Sequence, residues 1–293
     1  MNYFRYLNAY LIFSSLVVAL SVASIAVFGL NLGIEFTGGS IMEVEYESGR
    51  PSNQEIAEQL EGFDLGSPSI QPIGEKGVII RMKDLAEDVH QAVREKLGAG
   101  GAKEIRFESI GPVIGKELAG KAVFMIVFAL LAISAYIAFA FRKITRPVKF
   151  WQWSSSAFLT LFHDVAVPMG VLALLGELQG VQITIPIVVA MLTIVGYSIN
   201  DTVVLFDRIR ENIVRHVGAD FQDTVNKSLQ QTMFRSFSIS FTVMLSLLAI
   251  FLFGGDTLRY FSLSLLIGIG AGSYSSLFLA PALLLKWVGR TPS

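Results

Sequence analysis

Six apolar runs, each about as long as a hydrocarbon layer is thick, leave this chain few folds to choose from. They cover residues 9–30, 120–141, 154–175, 181–206, 236–253 and 261–287. About twenty apolar residues cross a bilayer as a helix, and a helix satisfies its own backbone groups, as lipid demands. Charged residues make up only 16% of the chain, against roughly 25% in an average soluble domain. The chain therefore reads as a polytopic α-helical membrane protein with six transmembrane helices. The first run is longer than the apolar core of a signal peptide, so it is expected to remain as a span. With no cysteine, disulfides and thiol chemistry are excluded. His90, His163 and His216 lack ligand spacing, so no metal and no cofactor is expected.

The formal charge of −1 hides a division. Residues 35–117 hold sixteen acidic and nine basic residues, a net of −7, whereas the remainder is net +6. An acidic polar block set between apolar runs argues for one external domain between helices 1 and 2, and against nucleic-acid binding. Within it, Gly33-Ile-Glu-Phe-Thr-Gly-Gly39 marks a turn, followed by alternating strand residues from Ile41 to Tyr46. Residues 51–61 read as a helix, 69–73 and 77–82 as strands, and 104–109 as a last strand. A helix over 84–97 is expected to open on Asp84 as its cap. The order β-α-β-β-α-β predicts a ferredoxin-like α+β domain. Expected boundaries are 1–30 for the N-terminus and helix 1, 31–118 for the external domain, and 119–293 for a five-helix membrane domain.

Basic residues set the orientation. Arg142, Lys143, Arg146 and Lys149 follow the second run, Arg208, Arg210, Arg215 and Lys227 follow the fourth, and Lys286 and Arg290 close the chain. The positive-inside rule then places both termini in the cytoplasm and residues 31–118 outside. Trp151 and Trp153, at a run's end, are expected as interfacial anchors. Residues 207–234 are amphipathic and are expected to form short helices against the inner membrane face, or a solvated connector.

Asp201 stands inside the fourth run. A carboxylate there costs about 2.5 to 3.5 kcal/mol on insertion scales, so intramembrane acids are functional by default. Its expected ionic partner is Arg235, at similar depth at the start of the fifth run, forming a proton relay or a static clamp. Tyr197, Ser198 and Asn200 would add polar groups within one turn. His163 and Asp164, in the third run, extend that relay or are satisfied by helix-to-helix hydrogen bonds; side chains about 100° apart would not share one neighbour. Ser264, Gly268, Gly272, Ser276 and Ala280 recur every four residues, a stripe for close helix packing or for docking a second subunit. No nucleophile elbow or metal-ligand helix points to an enzyme.

Three motifs together carry a resemblance: Gly33 to Gly39, with Phe36, Thr37 and Gly38 inside it; Ser198 to Val204 with Asp207-Arg208-Ile-Arg210-Glu211-Asn212; and Gln231-Thr-Met-Phe-Arg235. The chain resembles the SecD/SecF family of bacterial protein-export membrane subunits, of the resistance–nodulation–division superfamily, over essentially its whole length. Glu35 departs from the family's usual Asp. The resemblance implies a proton-motive-force-driven accessory of the Sec translocase in the inner membrane, promoting late-stage export. Its implied partners are SecD, the SecYEG channel, YajC, the unfolded exported polypeptide and membrane lipid. It also implies that Asp201 and Arg235 conduct protons. Two other readings stay open: half of a proton-driven small-molecule or lipid exporter, and a passive assembly scaffold.

Overall fold

A computed structural model describes residues 5–47, 49–66, 68–143 and 146–289, without the side chains of 256 and 257. Arg290 lies outside the described residues. The chain divides into two compact units, Leu32–Val123 and Met1–Asn31 with Phe124–Ser293.

The smaller unit is a four-stranded antiparallel sheet backed by two helices. Its strands are β1 (Gly39–Tyr46), β2 (Ser69–Ile73), β3 (Gly77–Met82) and β4 (Ala102–Ile110), in the order β2-β3-β1-β4. With α3 (Asn53–Gln59) after β1 and α4 (Glu87–Ala99) after β3, this is the expected ferredoxin-like arrangement. Alternation decides which face is inside. Met42, Val44 and Tyr46 of β1 and Val78, Ile80 and Met82 of β3 meet Ile56, Leu60, Val93 and Leu97 in one core. Before β1, a one-turn helix α2 (Ile34–Thr37) ends on Gly38 and Gly39, with φ of 79° and 135°. Those angles favour glycine. The space does so too: a Cβ on Gly38 would lie 2.6 Å from the Pro112 backbone.

Helix α3 opens with the Ser52/Glu55 capping box that its Pro-Ser-Asn start signals. Helix α4 does not open on Asp84. It starts at Glu87, and its N-cap residue Ala86 has no side-chain cap. Asp84 instead accepts from Ser109 Oγ at 2.6 Å, and the neighbouring Leu85 N–H donates to Ser40 Oγ at 3.0 Å. Ser40, fully buried, shares a 2.8 Å bond with Ser109. The acid therefore pins a strand serine, while the strand serine holds the turn.

Six helical segments among the described residues are long and apolar enough to cross a membrane. They are α1 (Leu7–Phe28), α5 (Pro112–Ala140), α6 (Phe150–Gln179), α7 (Ile185–Val214), α8 (Phe221–Phe253), and a last segment, Leu258–Val288. That last segment joins α9 (Asp256–Tyr274) to α10 (Ala280–Val288) through a π-turn at Ser275–Leu279. Helices α6 and α7 and the last segment are the most enclosed, whereas α1 and α8 expose most of their apolar surface.

Two expectations fail here. Residues 207–234 are not short helices on a membrane face. Helix α7 runs on to Val214, and after a short turn α8 begins at Phe221. The turn is closed at both ends. His216, at φ 53°, sits in a Schellman arrangement with Val217 N bonded to Asn212 O and His216 N to Ile213 O. Asp220 then caps α8 by accepting from Asp223 N at 2.7 Å. Intrahelical pairs keep the polar stretch helical, among them Arg208–Glu211 and Glu211–Arg215 at 2.8 Å. Trp153, in turn, is no interfacial anchor. It is fully buried between Phe141 and Phe206, with ring centroids 5.0 and 4.9 Å away.

Ser40→Ala leaves the Leu85 N–H buried without an acceptor, a cost of about 1–3 kcal/mol. Hydrogen exchange at Leu85 is expected to accelerate by about one to two orders of magnitude, and by much less in Asp84→Ala.

Candidate functional site

The polar groups of the membrane unit form two clusters on either side of α7. The helix repeat separates them: residues four apart share a face, and neighbours diverge by about 100°. Tyr197 and Asp201 make one stripe, and Ser198 and Thr202 the next.

The first stripe faces α8. Asp201 is 3% exposed and accepts from Ser240 Oγ at 3.4 Å. Ser236, one turn earlier on α8, also lies against the carboxylate. Tyr197 Oη donates to Ser240 Oγ at 3.1 Å, so one serine links phenol and acid. Arg235 does not pair with Asp201. It is exposed, within electrostatic reach but forming no ion pair within 4.0 Å among the described residues. The reason is helical phase: Ser236 and Ser240 are four apart and turn inward, which leaves Arg235, next to Ser236, pointing away. Asn200 is likewise exposed and is not brought into the site.

The second stripe faces α6 and the π-turn. Asp164 is fully buried, and three side chains donate to its carboxylate. Ser198 and Ser275 hydroxyls donate to Oδ2, the latter at 2.8 Å, and His163 Nδ1 lies 2.8 Å from Oδ1. His163 and Asp164 bond to one another, while Asp164 alone reaches Ser198 and Ser275, so the two share no neighbour on another helix, in line with their 100° offset. His163 Nε2 is buried and has no partner. Ser276 shares a 2.8 Å bond with Thr202 and donates to Ser198 O at 3.2 Å. Ser156 Oγ donates to Ala280 O at 2.7 Å.

The small-residue stripe of the last segment is spent inside the chain. Ser264 is fully buried, Gly268 packs on Ile194, and Gly272 lies against Ser198 and Asp164. It therefore offers no face for docking a second subunit. Ser240 and Ser275 carry much of the network, yet nothing singles them out in the sequence. Serines are common in these helices, and Ser275 falls one residue off the stripe.

The other motif residues have structural partners. Asp207 pairs with Arg210 at 3.3 Å, Arg208 and Glu211 pair as above, and buried Asn212 donates to Ser228 Oγ at 2.8 Å and Gln231 Oε1 at 3.0 Å, joining α7 to α8. In the smaller unit, Gly33 O accepts from the backbone of Phe36 and Thr37 and from Thr37 Oγ1. Glu35 Oε2 and Arg81 Nε are both buried without a partner. Burial pushes the Arg81 guanidinium below its ordinary value, and the charge of Glu35 offsets part of that.

Comparisons with known proteins agree with this architecture. Residues 89–290 match the family model "Protein export membrane protein SecD/SecF, C-terminal", and residues 23–49 match the "SecD/SecF GG Motif". The protein translocase subunit SecF of Thermobaculum terrenum is 36% identical over 98% of this chain and 93% of that protein. The Synechocystis SecF is 34% identical over 94% of this chain and 90% of its own length. A crystal structure of SecDF from Thermus thermophilus, described as a translocon-associated membrane protein, superposes with a TM-score of 0.85 at 31% identity. The match covers 99% of this chain and 39% of that one.

Gly272→Leu would drive a side chain into Ser198, 3.1 Å from where the new Cβ would sit. Such overpacking costs about 1–3 kcal/mol, and the melting temperature in detergent is expected to fall by about 2–10 °C. Gly270→Ala, whose nearest new neighbour is Met244 Sδ at 3.9 Å, is expected to leave it unchanged.

Proposed function

The chain belongs to the SecD/SecF protein-export family, and from that membership we propose that it is an accessory subunit of the bacterial Sec translocase, using the proton motive force to promote late-stage export. It works with SecD, beside the SecYEG channel and YajC, on unfolded polypeptide leaving the channel. It resides in the inner membrane with both termini cytoplasmic. Residues 31–118 form the external domain that handles the polypeptide, and 119–293 the five-helix membrane domain.

One observation carries the reading. Asp201 is a buried carboxylate in a membrane-spanning helix, held by serine hydroxyls and, among the described residues, by no cation within ion-pair distance. Burying a charge without a counter-charge is expensive, which is why intramembrane carboxylates serve as proton carriers. The arrangement here, with Arg235 apart, is one end of the cycle. At the other end the ionised Asp201 draws Arg235 into an ion pair. Proton entry from outside and release to the cytoplasm alternate the two, shifting α8 against α7 and carrying the motion to the external domain. One charge crossing 100 mV is worth about 2.3 kcal/mol, enough to bias a two-state element roughly fifty-fold.

Asp201→Asn, in a complex that assembles normally, is expected to lose gradient-stimulated export in vesicles while export driven without a gradient continues. Stimulation retained at the wild-type level overturns the relay. Orientation is checked separately, since the chain has no cysteine. A cysteine at exposed Glu61 is expected to react with an impermeant maleimide from outside intact spheroplasts, and one at Lys227 only after the membrane is opened.

A further inference from the structure

We propose that His163 and Asp164 form a second proton-binding site, separate from Asp201, whose occupancy sets how firmly the last membrane segment is tied to α6. This rests on the reading of the chain as proton-driven, but it concerns different residues and a different pair of helices.

Geometry is the first ground. Asp164 accepts at both oxygens and has no cation among its partners: His163 at Oδ1, Ser198 and Ser275 at Oδ2. Hydroxyl bonds to a carboxylate are roughly twice as strong as those to a neutral acceptor. The charge on Asp164 therefore stiffens the link to α7 through Ser198 and the link to the last segment through Ser275.

The second ground is His163 Nε2, buried at 3% residue exposure and without a partner among the described residues. A neutral imidazole that donates from Nδ1 leaves Nε2 as a bare acceptor. A proton arriving there makes an imidazolium, whose Nδ1 proton then passes to Asp164 Oδ1. One proton is gained, imidazole is restored with its hydrogen on Nε2, and the acid is neutral. The titratable groups facing the dyad are few. Tyr274 has its ring centroid 6.2 Å from that of His163, Tyr10 of α1 lends its carbonyl to Tyr274 Oη at 3.3 Å, and Asp201 lies on the next stripe of α7. No lysine or arginine pairs with either member among the described residues.

The third ground is the readout. Ser275 opens the π-turn, in which Ala280 N bonds back five residues to Ser275 O, and such turns concentrate at functional sites. Its hydroxyl already has a second acceptor, Gly272 O at 3.1 Å. When Asp164 becomes neutral, Ser275 loses a charge-assisted acceptor and keeps a backbone one on its own helix. The tie between α6 and the last segment then loosens at its centre. The Ser276 and Ser156 bonds, which do not involve the dyad, keep the segment in place.

The test is pH-difference infrared spectroscopy of the full complex in lipid vesicles, read in the carboxylic-acid C=O region. Two membrane bands are expected. Asp201→Asn removes one and leaves the other; Asp164→Asn does the reverse. His163→Gln keeps the Asp164 carboxyl but abolishes its protonation, and Ser275→Ala shifts the frequency of the Asp164 band because one donor is gone. If His163→Gln and Ser275→Ala, in assembled complex, both leave every band at its wild-type position and amplitude, the second site does not exist, whatever the stability of Asp164→Asn. A band lost in Asp164→Asn alongside retained gradient-stimulated export in Asp201→Asn would sink the relay at Asp201 and leave the His163–Asp164 site standing.

Discussion

A carboxylate buried among helices dictates the layout of the membrane unit. Asp164 is fully buried, and among the described residues its one partner within ion-pair reach is an imidazole that is charged only when doubly protonated. Its lone pairs must be met by hydroxyls, and hydroxyls on other helices reach it only if those helices come close. Gly272 permits the approach of the last segment, Ser198 fixes the rotation of α7, and the π-turn brings Ser275 onto the acid while Ser276 turns to α7. The remaining apolar packing follows from helices already set at these distances. A cluster of leucines would hold the same helices together, but it would not specify their rotation so narrowly.

Much of the architecture was legible before any coordinates, because two periods leave strong marks. Strands β2 and β3 fall at their expected residues, and β1 shows the alternation that buries Met42, Val44 and Tyr46. Six spans follow from six apolar runs. The losses came where polar residues do structural work in a helix. Residues 207–234 look like a surface linker because their charges are dense, yet those charges pair three or four apart and prolong α7 and α8. Asp84 looks like a cap because caps are often Asp. Its carboxylate instead takes the Ser109 hydroxyl, and the turn before α4 is held by Ser40, forty-five residues from Leu85, which no local pattern announces.

The site was half visible for the same reason. Asp201, His163 and Asp164 stand out because ionisable groups are rare in apolar runs. Their partners are serines, which carry no such signal. Depth alone puts Arg235 beside Asp201, and depth does not fix phase: a residue adjacent to an inward-facing one on a helix points about 100° away. Phase follows from what packs beside α8, and only the assembled bundle supplies that.

The two stripes of α7 make it the element shared by both acids. Tyr197 and Asp201 look to α8 through Ser240, while Ser198 and Thr202 look to Asp164 and Ser276. Ser198 and Asp201 are three residues apart on one helix, and a single rotation of α7 serves both sets of bonds at once. Turning the helix away from that setting would strain both, and leaving a buried polar group unsatisfied is costly. The two carboxyl groups therefore hold neighbouring faces of one helix, so any turn of α7 is felt at both.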